Sequence, residues 1–76
     1  MKQTIQIELL ATLKRYLPDD PDRFPVESGS RIRDVIRRLN IPEYEVFLVF
    51  INGKKGNIDS AIAGGDRIGF FPPLGD

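Results

Sequence analysis

Polar and apolar residues alternate without a break over residues 4–9, Thr-Ile-Gln-Ile-Glu-Leu. A period of two predicts a half-buried strand with Ile5, Ile7 and Leu9 inward. Alternation then stops. Leu13, Tyr16 and Leu17 suit one face of a short helical turn that ends at Pro18, and Asp19 to Asp22 make a solvated loop. Residues 23–27 form a second short strand with Phe24 and Val26 inward; Pro25 places it at a sheet edge, because proline donates no ladder hydrogen bond.

From Arg31 to Asn40 the period changes. Ile32, Val35, Ile36 and Leu39 fall at i, i+3, i+4 and i+7, a continuous apolar stripe on a helix. Ser30 is placed to cap it and Pro42 to close it. Residues 46–51, Val-Phe-Leu-Val-Phe-Ile, are apolar at every position and predict a central strand. If Val46, Leu48 and Phe50 face the helix, Phe47, Val49 and Ile51 emerge on the other side. Asn52-Gly53 signals a hairpin, because both turn positions require positive φ. A brief edge strand around Ile58 and a helical turn over Asp59 to Ala63 follow. Residues 66–71 make the last strand, with Ile68 and Phe70 on one face and Arg67, Gly69 and Phe71 on the other. Pro72-Pro73 then forces the chain out of the sheet in extended form, so a tail is presented from about residue 72.

The predicted order is β, short α, β, α, β, short β, β in one domain over residues 1–76, an α+β arrangement with a mixed sheet of four to five strands and one main helix packed on one face. One ten-residue helix cannot cover both faces. Phe47, Val49, Ile51 and Phe71 are therefore expected to form an exposed apolar patch for a partner protein or a second copy of the chain. The tail residues Pro72, Pro73 and Leu74 adjoin it.

Composition narrows the chemistry. The 76 residues hold neither cysteine nor histidine, which excludes thiolate chemistry, a disulfide framework and the commonest general base and metal ligand. Without the spacing of a calcium loop, the acidic run at 19–22 reads as a loop and not a metal site. Basic and acidic residues balance at 11 each, so no global field favours nucleic acid or a membrane. Arg31, Arg33, Arg37 and Arg38 crowd the helix without an aromatic stacking platform, which predicts a solvated face rather than a nucleic-acid surface. No apolar run reaches the length of a membrane span and no secretory signal pattern opens the chain, so a soluble cytoplasmic protein is expected.

Leu10-Ala11-Thr12-Leu13-Lys14-Arg15-Tyr16-Leu17-Pro18, the Ser30–Leu39 helix, the Val46–Gly53 strand and turn, and above all Gly65-Asp66-Arg67-Ile68-Gly69-Phe70-Phe71-Pro72-Pro73 resemble the MoaD/ThiS family. The likeness runs in order through essentially the whole chain, and its nearer match is the small subunit of molybdopterin synthase. It implies a ubiquitin-like β-grasp fold and a sulfur carrier without an active site of its own. It implies no bound cofactor: an E1-like enzyme spends ATP to adenylate the terminal carboxylate, which becomes a thiocarboxylate. The tail then enters the large synthase subunit to deliver sulfur for molybdenum cofactor biosynthesis.

The family ends in Gly-Gly where this sequence reads Leu74-Gly75-Asp76. On the resemblance, Gly75 bears the thiocarboxylate once Asp76 is removed; as written, the terminal carboxylate belongs to Asp76. A glycine without Cβ threads a narrow channel and admits catalytic groups closely. Two other functions fit the same residues: a carrier for thiamine, RNA thiolation or protein modification, and a β-grasp interaction module that carries nothing.

Overall fold

The computed structural model describes residues 2–73. Five strands, β1 (Lys2–Leu9), β2 (Phe24–Glu27), β3 (Leu48–Ile51), β4 (Lys54–Gly56) and β5 (Arg67–Phe71), form one sheet in the order β2-β1-β5-β3-β4. The central β1–β5 pair is parallel; the three outer pairings are antiparallel. A helix, α1 (Ile32–Arg38), packs on one face, and 3-10 turns occupy Ala11–Tyr16, Pro21–Arg23 and Glu43–Glu45. This is a β-grasp arrangement, as the resemblance implies.

The core lies between α1 and the sheet. Ile5, Ile7 and Leu9 of β1 and Ile68 and Phe70 of β5 are buried against Ile32, Val35, Ile36 and Leu39. Both periodicities, two on the strands and 3.6 on the helix, thus find their predicted faces. Pro25 sits in edge strand β2, where its missing N–H costs no ladder bond.

The helix ends are built differently from the sequence expectation. The N-cap is Arg31 rather than Ser30. The first helical amides are taken by a neighbouring loop: Ile32 N–H donates to Ser60 O at 3.0 Å and Arg33 N–H to Ile58 O at 2.8 Å. The Asp34 carboxylate in turn accepts the Arg31 N–H at 2.9 Å. At the other end Asn40, not Pro42, stops the helix. Asn40 has φ 62°, its N–H reaches Arg37 O, and Ile41 N–H reaches Ile36 O, the paired bonds of a Schellman motif.

The 57–63 segment is a loop and not a helical turn. Its backbone is committed to α1 and to a bridge between Arg31 and Ala61, and a tight turn closed by Ser60 N–H to Asn57 O at 3.1 Å precedes that bridge. The short edge strand forms earlier than expected, at Lys54–Gly56, directly across the Asn52-Gly53 turn.

The largest correction concerns β3. Val49 is buried in the core and Ile51 packs partly buried against it, whereas Phe50 takes the opposite face. A run that is apolar at every position carries no phase of its own. Pairing with β5 sets it: Val49 lies opposite Phe70 and Ile51 opposite Ile68, both core residues, while Phe50 lies opposite Gly69. A one-residue shift of phase moves every side chain to the other face.

Candidate partner-docking face and tail exit

The face of the sheet away from α1 has no covering layer among the described residues. Its centre is Gly69, whose lateral neighbours are Glu8 on β1 and Phe50 on β3. Two residues along β5 in either direction, on the same face, stand Arg67 and Phe71. These side chains, with Gly53, enclose a shallow pocket of about 240 Å³. Gly69 is its floor, where any side chain would project into the pocket. Phe50 and Phe71 make one wall, their rings edge to face at 71° with centroids 5.3 Å apart, a favoured aromatic geometry.

The chain leaves the sheet at the end of this wall. Phe47 N–H donates to Phe71 O at 2.7 Å, one residue out of the register that pairs Leu48 with Phe71, and the Phe47 side chain is 63% exposed. Pro72 is buried and Pro73 exposed. Tyr44, in the 3-10 turn before β3, is 81% exposed. Two turns border this exit. Arg15 bridges from the Ala11–Tyr16 turn to Glu45 at 3.1 Å, and the Tyr16 hydroxyl donates to the same carboxylate at 3.3 Å. The Arg15 guanidinium is raised above its ordinary pKa, first by its hydrogen bond to the Tyr16 hydroxyl and then by Glu45.

Of the residues expected to form the docking patch, Phe71 lies on the open face and Phe47 at its exposed end. Val49 and Ile51 face the core, as above. Leu74, Gly75 and Asp76 lie outside the described residues. Arg67 and Gly69 join Phe71 on the face that alternation gave them, whereas Phe50, Glu8 and Gly53, which complete the pocket, were not anticipated. Gly69 and Phe71 share a face by simple alternation along β5, which was a readable signal; nothing within β3 identified Phe50.

Most of the helix arginines are engaged within the protein. Arg33 pairs with Asp59 at 3.0 Å, and Arg31 Nη1 donates to Asp59 O at 2.7 Å. Arg38 donates to Pro25 O and lies over the Phe24 ring, 4.5 Å from its centroid. Among the described residues no acidic, histidine or cysteine cluster could hold a metal ion, and no helix is long and apolar enough to cross a membrane.

A five-stranded mixed sheet grasping one helix, with an open apolar face leading into a C-terminal tail, defines a ubiquitin-like domain. Solved structures agree on the fold. The solution structure of the HVO 2177 protein of Haloferax volcanii superposes with a TM-score of 0.77 at 21% identity, covering 97% of this chain and 86% of that one. SAMP1 of Haloferax volcanii gives 0.67 at 23% identity, over 96% and 98%. A Pyrococcus furiosus protein assigned as molybdopterin converting factor, subunit 1, gives 0.64 at 22% identity, over 95% and 99%. No curated protein matches the sequence. The sequence model of the Mut7-C ubiquitin family, Ub-Mut7C, matches residues 2–74, and the chain belongs to that family.

Proposed function

We propose that this protein is a ubiquitin-like sulfur carrier that docks on partner proteins through its open sheet face and hands them its C-terminal tail. The observation that supports this most is that Phe71, half of the Phe50–Phe71 wall, ends the strand that runs directly into Pro72-Pro73. A partner seated on the wall is held where the tail departs. An extended tail alone loses much conformational entropy on ordering and contributes little area, so a pre-formed apolar patch supplies the binding that the tail cannot.

The chemistry needs no catalytic group from this chain. In an E1-like enzyme a carboxylate oxygen of the tail attacks the α-phosphorus of ATP and pyrophosphate leaves. A sulfur nucleophile then displaces AMP, so one carboxylate oxygen is replaced by sulfur. Gly75 bears this group after Asp76 is removed. A synthase large subunit receiving the tail places the protein in molybdopterin synthesis, in keeping with the MoaD/ThiS-like segment from Gly65 to Pro73 and the molybdopterin-related name of one structural neighbour.

A second reading, a docking module that carries nothing, is favoured by a pocket that residues of β1, β3, β5 and the β3–β4 turn line among those described. Intact mass separates the two. Protein from its own cells, incubated with its activating enzyme, ATP and a sulfur donor, should lose Asp76 and exchange one oxygen for sulfur. A terminus that resists adenylation in every processed form would leave the docking module.

A further inference from the structure

The pocket around Gly69 has two unlike corners. Phe50 and Phe71 make one, an aromatic edge-to-face wall. Glu8 and Arg67 make the other. Among the described residues neither of these two side chains forms an ion pair or a side-chain hydrogen bond, with each other or with any neighbour. Arg67 and Glu8 also border an adjoining hollow with Gln6 and Asp22. Any group that fills the Gly69 pocket therefore meets an aromatic surface on one side and an unpaired anion and cation on the other.

Chemistry selects among the side chains a partner could insert. An aliphatic group or a phenylalanine covers the wall but offers Glu8 and Arg67 no hydrogen bond. A lysine suits Glu8 and opposes Arg67; a carboxylate does the reverse. An indole N–H donates but cannot accept. A phenol meets all of these demands. Its ring packs against Phe50 and Phe71, its O–H donates to the Glu8 carboxylate, and its oxygen accepts from the Arg67 guanidinium. We infer that the Gly69 pocket is a receptor for a tyrosine side chain of the docked partner. This rests on reading the open face as the docking surface and specifies what the partner must present there. The shallow depth suits a single side chain inserted from a protein surface rather than an enclosed small-molecule ligand.

The test uses the isolated isotope-labelled protein, titrated with N-acetyl-tyrosinamide and, separately, N-acetyl-phenylalaninamide, and followed by amide NMR shifts. The tyrosine probe should move the amides of Arg67, Gly69, Phe71 and Phe50 saturably. It should bind roughly threefold to tenfold more tightly than the phenylalanine probe, the worth of one net hydrogen bond. Glu8→Leu should bring the two affinities together, and Gly69→Val should abolish both. Should Gly69→Val fail to fold, the rim substitution Glu8→Leu decides the matter alone. Equal affinity for the two probes in the natural protein, shifts confined to another surface, or no saturable shift would overturn the assignment. Partner association of Phe71→Asp separates this inference from its premise. If that substitution blocks association with the activating enzyme while the probes show no preference, the tyrosine site falls and the docking face stands. If the probes bind as expected while Phe71→Asp leaves association intact, the docking reading falls, and with it the partner origin of the phenol.

Discussion

The side-chain amide of Asn52 donates to Asp66 Oδ1 at 2.9 Å, while its own Oδ1 accepts the Arg67 N–H at 2.9 Å. The residue that the β3–β4 turn demands for its φ of 54° is thus also the residue that fixes where β5 begins. Asp66 completes the clasp by accepting the Ala63 N–H on Oδ2 at 2.8 Å. Asp66→Ala removes both acceptors and should lower stability by about 1–3 kcal/mol, read as an earlier urea midpoint with an unchanged slope. An unchanged midpoint would show that water replaces the carboxylate at no cost.

Phe70 is completely buried at the centre of the sheet. Phe70→Ala should cost about 3–5 kcal/mol, close to the whole stability of so small a domain. Loss of the cooperative unfolding transition at room temperature is the expected result. A stable, cooperatively unfolding variant would mean that the surrounding core collapses around the gap.

On the opposite face the same strand should behave differently. Phe71→Asp removes the partner of a half-buried edge-to-face pair worth about 0.5–1.5 kcal/mol, so the domain should stay folded by circular dichroism. Under the proposed carrier function, binding to an E1-like enzyme should fall at least tenfold, measured by titration calorimetry, because the substitution puts a charge in the apolar wall. Val49→Asp, one of the positions that sequence alone assigned to the patch, should instead unfold the protein, since it buries an unpaired carboxylate.

Asn40 holds a left-handed conformation in which a Cβ is unfavourable. Asn40→Gly should therefore raise stability by about 0.5–1 kcal/mol, and Asn40→Ala should lower it by about as much. Thermal melts of the pair give opposite signs if the Schellman ending is correct. Shifts in the same direction would return the helix stop to Pro42.

Arg38 closes the open edge of β2 by donating to Pro25 O and lying over Phe24. Arg38→Ala should cost about 1–2 kcal/mol. Arg38→Lys should recover only part of that, because an ammonium neither stacks nor forks like a guanidinium. Full recovery by lysine in a denaturation series would show that only charge matters there.

The elements with a clear period were legible in the sequence. Ile5, Ile7 and Leu9 alternate against polar neighbours, and Ile32, Val35, Ile36 and Leu39 repeat as a helix face, so burial had one solution for each. The phase of β3 was not legible, since Val46 to Ile51 offers an apolar residue whichever way it turns; only pairing with β5, some twenty residues away in sequence, decides it. For the same reason Phe50 was missed and Val49 and Ile51 were placed on the docking face. Ser30 was a sound cap by residue type, but Ser60 O and Ile58 O reach the helix amides first, a tertiary contact that no local rule contains. The pocket was half visible: Gly69 and Phe71 shared a face on paper, whereas Glu8 joins them through the parallel β1–β5 register.

That parallel register also governs when the domain comes into being. Strand β5 stands third of five, between β1 and β3, and it is the last strand along the described chain. Neither the β2–β1 ribbon nor the β3–β4 hairpin has a partner for its inner edge until residues 67–71 are available, and two-stranded pieces are at best marginal in water. During synthesis the two halves of the sheet must therefore wait for β5 to leave the exit tunnel before they pair through it. Folding of the domain is consequently dominated by long-range contacts and slow for its size. A product that stops before β5 lacks the strand that joins its two halves within the sheet and is a substrate for proteolysis.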